Sequence, residues 1–263
     1  MSASINLKVL SIAVLVGMSL VGCSDNDDDT PPIVQEQKTG SIALKVFDND
    51  SGNQLKDAEV SVIKTTLNTK SNAEGIAKIE KVPVGRSILQ ISKAGYADQV
   101  IVVNLAEKQD LSGVVVQLIP LELGGSIVPT TGGTINLANS TAQVVIPANG
   151  LRRVDGQAIQ GNVNVSIALI NTAQEIRNMP GDLATVVNNN RAPLESFGAM
   201  VVDLRDSSGA KVTLVQNQFA NIRIPLMTRG TAPTTIPLYY FDPALGYWLQ
   251  DGSQELTLEK NAA

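Results

Sequence analysis

The chain of 263 residues contains no histidine and one cysteine, Cys23. Ser-His-Asp and Cys-His nucleophilic sites are therefore excluded, together with every histidine-ligated metal centre. Paired-carboxylate chemistry of the glycosidase kind needs only two Asp or Glu residues. With 25 acids in the chain, some close pair is inevitable and its presence selects nothing. Asp48, Asp155, Asp206 and Asp251 stand in turn-like sequence, where a solvated turn carboxylate is the expected role. Asp48-Asn49-Asp50-Ser51-Gly52 begins like a calcium loop, but its glycine comes one position early and no distal Glu follows. Gly124-Gly125 and Gly132-Gly133 lack the lysine and helix of a phosphate loop. The chain is expected to be no enzyme, with no metal and no cofactor; a paired-carboxylate hydrolase is a further alternative.

The aromatics are concentrated. Nine residues of the chain are aromatic, and five of them lie between Tyr239 and Trp248. A hairpin with residues 242–246 as its loop pairs Phe241 with Tyr247, Tyr240 with Trp248 and Tyr239 with Leu249. Alternation then places Tyr240 and Trp248 on one face as a candidate ligand contact, able to stack on a sugar or a partner side chain. Such a pair can equally serve only to stabilise the hairpin.

Cys23 ends a three-part N-terminus. Lys8 is the only charged side chain of residues 1–22, and an apolar stretch follows it from Val9 through Val21. This is the layout of a secretory signal, and the segment is short for a spanning helix. Leu20-Val21-Gly22-Cys23 resembles the lipobox of bacterial lipoproteins, which implies cleavage between Gly22 and Cys23 and lipid attachment at Cys23. Residues 23–39 then read as the lipidated cysteine and a tether. Its run Ser24-Asp25-Asn26-Asp27-Asp28-Asp29 repels itself and is expected to be extended. By resemblance to lipoprotein sorting signals, Ser24 points to the outer membrane, and the acidic run is similar to a surface-export signal. The periplasmic and surface-facing orientations both stay open. The formal charge of −5 becomes −6 once residues 1–22 are removed, which argues against nucleic-acid binding.

The elements that follow alternate with period two. Across residues 40–120, Ile42, Leu44 and Val46 alternate with Ala43, Lys45 and Phe47, and Val60 and Val62 flank Ser61. Turn residues break these runs at Asp50-Ser51-Gly52, Asn72-Ala73-Glu74-Gly75, Pro83-Val84-Gly85 and Ala94-Gly95. About seven short strands are expected, enough for a β-sandwich. The order of Gly40-Ser41-Ile42, Leu55-Lys56-Asp57-Ala58-Glu59-Val60, Val82-Pro83-Val84-Gly85 and Lys93-Ala94-Gly95-Tyr96 resembles the carboxypeptidase regulatory-like, or transthyretin-like, domain. Ser87 stands where that family usually has an aromatic. The resemblance implies a non-catalytic spacer or docking unit. Lys45 also occupies the place where related collagen-adhesin repeats carry a cross-linking lysine, with Asn104 as its candidate partner. Alternation puts Lys45 opposite the apolar face, which disfavours that isopeptide.

Residues 121–258 form a second all-β segment, with Gly124-Gly125 expected at the seam. Its strands include Gln143-Val144-Val145-Ile146, the alternation of Val163, Val165, Ile167 and Leu169, and Leu238-Tyr239-Tyr240-Phe241. The motifs Ile146-Pro147-Ala148-Asn149, Met179-Pro180-Gly181-Asp182-Leu183, Leu194-Glu195-Ser196-Phe197-Gly198-Ala199 and Ile222-Arg223-Ile224-Pro225-Leu226 resemble the extracellular β-domain of the astroprincin and cartilage intermediate layer protein families. The front half also resembles the sandwich repeat of netrin receptors and ankyrins. Some of those cleave themselves at His-Phe-Ser, but Ser196-Phe197 has no histidine beside it. The expectation is an all-β chain of two consecutive sandwiches behind a signal peptide and an acidic tether. It is membrane-attached through its N-terminal lipid, and its partner is another envelope protein or a surface polysaccharide. Its oligomeric state is open. Glycan binding through exposed aromatics is the alternative function.

Overall fold

The computed structural model describes residues 2–5, 38–187, 190–228 and 230–259, with no account of the side chains of residues 2–5 and Ser253. Gly22, Cys23 and the acidic tether lie outside the described residues.

The chain is all-β. A short strand β1 (Ser2–Ile5) is followed by the seven strands of the first domain. These are β2 (Thr39–Asp48), β3 (Glu59–Val62), β4 (Asn68–Lys70), β5 (Ile76–Pro83), β6 (Gly85–Ser92), β7 (Gln99–Leu105) and β8 (Asp110–Leu118). They form two facing sheets, β5-β2-β8 and β4-β3-β6-β7, in which only β2 and β8 pair in parallel. The alternation of β2 sets its faces: Ile42, Leu44 and Val46 are buried, and Lys45 lies outside. Those three residues pack with Val60, Leu89, Ile91 and Leu118 in one core. The Lys45 ammonium sits 5.2 Å from the centre of the Phe47 ring, while Asn104 is exposed on β7 of the other sheet. That placement opposes the cross-link. Ser87 is buried, and its hydroxyl donates to the Pro83 carbonyl at 3.1 Å, so its polar group is satisfied. Residues 48–52 form a turn whose Asp48 carboxylate accepts the amides of Asp50 and Ser51 at 2.9 and 2.8 Å. Its other oxygen accepts the Tyr96 hydroxyl at 2.7 Å. The carboxylate pushes the Tyr96 phenol up to about 12 and is itself held below its usual range, chiefly by the Ser51 amide.

The second domain contains β9 (Glu122–Ile127), β10 (Gly133–Asn136), β11 (Gln143–Ile146), β12 (Leu151–Arg153), β13 (Val163–Ile170), β14 (Ala184–Val187), β15 (Asn190–Pro193) and β16 (Ala199–Asp206). It ends with β17 (Val212–Leu214), β18 (Ala220–Arg223), β19 (Thr235–Asp242) and β20 (Tyr247–Thr257). Its main sheets are β16-β13-β9 and the six-stranded β10-β11-β18-β1-β20-β19. Val163, Val165 and Ile167, all fully buried, meet Val144, Ile222 and Leu256 between them. Gly124-Gly125 lies inside β9 instead of at a seam. The ladder to β13 shifts register between Val165 and Ser166, and a Cβ on Gly124 would stand 2.6 Å from the Ile135 side chain. The glycines allow a bulge and a close approach within the sheet.

Two aspartates depart from the solvated-turn expectation. Asp251 is buried within β20, where residues 251–254 bulge opposite Leu238 alone and Gly252 takes a left-handed conformation. Asp206 is also buried, at the end of β16. Its carboxylate accepts the Ser208 hydroxyl at 2.6 Å, the amides of Gln160, Ser208 and Ala210 at 2.9, 3.0 and 3.1 Å, and an Arg153 N–H at 3.4 Å. These donors, the Ser208 hydroxyl first, lower its pKa from 3.8 to about 2. A carboxylate lowered by folding stabilises the native state above its unfolded pKa, and that stability is lost as pH falls through the folded value. The urea midpoint should therefore drop between pH 4 and pH 2 more steeply in the native chain than in Asp206→Asn. Equal slopes would mean that the network does not depend on the charge.

Candidate functional site

The aromatic hairpin registers one residue away from the expectation. Asp242 pairs with Tyr247, Phe241 with Trp248, Tyr240 with Leu249 and Tyr239 with Gln250. The loop is shorter because Asp242 stays in the ladder while its carboxylate accepts the loop amides of Ala244 and Leu245 at 2.8 and 3.1 Å. A one-residue slip exchanges faces, so Tyr240 and Trp248 point to opposite sides and do not form one stacking platform. Trp248 is half-buried, its ring 5.4 Å from that of Phe241 at 55°, and its indole N–H donates to the Pro180 carbonyl at 3.1 Å. Tyr240 is half-buried on the other face. Burial, then the Asp242 and Asp251 carboxylates, raise its phenol above the usual range.

The hairpin tip joins the two domains. Arg86 of β6 lies 4.3 Å from the centre of the Tyr247 ring, and Arg191 approaches the same ring at 5.9 Å. Both guanidinium groups pair with Asp182, at 3.2 and 3.3 Å. Around this centre the segment from Asn178 to Asp182 binds the first domain with its backbone. The Gln99 amide donates to the Asn178 carbonyl at 3.0 Å, and the Gly181 N–H donates to the Val100 carbonyl at 2.7 Å. The Asn178 side chain donates to the Asn49 side-chain oxygen at 2.7 Å and to Glu175 at 2.8 Å. Gly181 has a φ of +67°, and a Cβ there would overlap the Phe241 ring and lie 2.6 Å from the Gly246 carbonyl oxygen. Only glycine fits that approach. The sequence shows Met179-Pro180-Gly181-Asp182 as a motif, but its role depends on contacts with the first domain. The isolated Arg86 gave no sequence signal, since its partner lies 96 residues away.

Beside Trp248 the second sandwich encloses a mostly apolar cavity of about 330 Å³. Phe197, Met200, Leu183 and Tyr239 line it near Trp248, and Ala220, Ile222 and Leu256 line it toward β1; Glu195 is its one charged lining residue. Such an apolar space suits aliphatic or aromatic groups more than a hydroxyl-rich sugar. Among the described residues no group of three or more Asp, Glu, His or Cys is placed to hold a metal ion.

No family model and no curated protein matches the chain. Among solved structures, the chain is similar to a type II cohesin–X-dockerin complex from Acetivibrio cellulolyticus at 17% identity and a TM-score of 0.26, over 29% of this chain and 56% of that one. A streptococcal ancillary pilin aligns at 13% identity and a TM-score of 0.27, over 85% of this chain and 60% of that one. A candidate carbohydrate-binding protein from Bacteroides uniformis aligns at 10% identity and a TM-score of 0.25, over 71% of this chain and 98% of that one. The chain thus spans little over half the length of the first two. At these TM-scores the likenesses carry no argument about activity, and function rests on the chain's own residues.

Trp248 is packed on Phe241 and bonded to Pro180 beside the joint, so its removal should cost stability. Trp248→Ala is expected to destabilise the protein by about 2–4 kcal/mol, the range for losing a packed aromatic and its bond. Urea unfolding would show this. A change below about 0.5 kcal/mol would return Trp248 to the status of a free surface ring.

Proposed function

We propose that the chain is a non-catalytic envelope lipoprotein, held at the outer membrane by an acyl-modified Cys23, whose two β-sandwiches act as one docking module. The observation that carries the anchoring is Leu20-Val21-Gly22-Cys23 at the end of an apolar segment, in a chain with no other cysteine. Several acyl chains, at about 0.8 kcal/mol per buried methylene, give stable membrane attachment. The acidic run beyond Cys23 keeps the folded part clear of the lipid surface. The joint at Asp182 supports the single module, since it ties the domains by ion pairs, backbone bonds and a stacked ring.

Several carboxylates, and Arg153, have evident structural roles. Asp48, Asp206 and Asp242 organise turns, Asp182 bridges the domains, and Arg153 spans Asp155 and Asp206 at 2.6 and 3.4 Å. The glycan alternative loses support because Trp248 is engaged by Pro180 and Phe241 and does not share a face with Tyr240.

Cys23→Ala tests the anchor. Its product should retain residues 1–22 and should not label with a palmitate probe in the native host. Normal cleavage and labelling of that variant would refute the lipoprotein reading.

A further inference from the structure

The six-stranded sheet is completed by residues that the mature lipoprotein would lose. Strand β1 lies between β18 and β20, antiparallel to both. Its register places Ser2 opposite Arg223, Ala3 opposite Ile222, Ser4 opposite Asn221 and Ile5 opposite Ala220, with Ser2 also facing Thr257. Cleavage at Gly22-Cys23 removes this strand and leaves β18 and β20 as parallel neighbours one strand apart, roughly 9–10 Å at the usual spacing. The backbone groups of β18, and those of β20 near Thr257, then lose the partners that β1 supplies. The floor of that gap is Ala220, Ile222 and Leu256, which also line the apolar cavity.

We propose that the mature chain carries a strand-acceptor groove between β18 and β20, filled by an extended segment of another protein with apolar residues at two alternate positions. This rests on the lipoprotein reading and names the docking surface that reading lacks. Main-chain bonds to both edges would supply affinity, and alternate side chains entering the cavity would supply selectivity, as in β-strand addition. The occupant must match the pattern that Ala3 and Ile5 present at the register positions opposite Ile222 and Ala220.

The sequences of residues 24–37 and 258–263 do not match it. In residues 24–37 the apolar pair Ile33-Val34 is adjacent, so any register pairs Ile33 with Gln35 or Val34 with Glu36, or draws in Pro31 or Pro32. Prolines cannot donate to the ladder. Earlier tether residues are mainly aspartates, which would be buried unpaired over Ile222. Residues 258–263, Leu-Glu-Lys-Asn-Ala-Ala, offer no two apolar residues at alternate positions. The same segments in a second copy do not match it either, which favours a donor from a different protein.

The test uses the processed protein extracted from membranes in mild detergent, its N-terminus verified at Cys23 by mass spectrometry. The probe is a fluorescent peptide of alternating valine and threonine flanked by lysines; its control carries proline at the central positions. The alternating peptide should bind saturably and at least tenfold more tightly than the control, and should slow amide exchange at residues 220–223 and 254–257. A cysteine in the peptide should form a disulfide with Asn221→Cys, an exposed position that spares the core, at one peptide position and not at its neighbours. No binding by a correctly processed protein, with residues 220–223 already protected, would overturn the groove, because β18 and β20 would have closed on each other. Disulfide-linked dimers of Asn221→Cys without peptide would assign the slot to a second copy and overturn the donor proposed. A native N-terminus at Met1 would refute the lipoprotein reading itself, separately from the groove.

Discussion

The Asp182 carboxylate is the point on which the arrangement of the molecule depends. It accepts Arg86 from the first domain and Arg191 from the second, and both cations lie near the Tyr247 ring. With its side chain only 19% exposed, the carboxylate is screened less than a surface pair. Losing either arginine would leave a partly desolvated anion with half its compensation. The fixed position of Asp182 also fixes Gly181, whose N–H reaches across to Val100, and Pro180, whose carbonyl orients Trp248. One side chain thereby holds a hairpin, a loop and a neighbouring domain in register.

How much of this was legible in the sequence depended on the range of the cause. Alternation is local, and Ile42, Leu44 and Val46 fall on the buried face of β2 as their spacing requires. Turn chemistry is also local: Asp48 binds the amides two and three residues on. The hairpin register is not legible from alternation because it depends on whether Asp242 lies in the loop or in the ladder, and one carboxylate bonding two amides decides it. Glycine pairs signal a special backbone without saying which, so Gly124-Gly125 suggested a seam and proved to be a bulge. Asp206 and Asp251 suggested solvent because aspartates usually seek it. Asp206 is instead enclosed by donors from residues 153, 160, 208 and 210, two of them distant in sequence. Arg86 could not be found from its neighbours at all.

The joint and the open slot are mechanically connected. After β1 is lost, the sandwich could reseal only if β20 moved sideways by about one strand spacing, roughly 4.8 Å. β20 does not move alone, because it is laddered to β19 from Thr257 back to Tyr247. The tip of that hairpin is clamped: Gly246 abuts Arg86 and Val102, its carbonyl accepts the Asp182 amide, and two arginines approach the Tyr247 ring. A lateral shift at the Thr257 end would bend an 11-residue strand about a fixed tip. The bulge at residues 251–254 lies between the clamp and the slot, and bulges are where strands bend. That bulge carries Asp251, buried with one carboxylate oxygen that has no hydrogen-bond partner among the described residues. The contacts that join the two domains thus also oppose collapse of the gap, which favours an incoming strand over resealing.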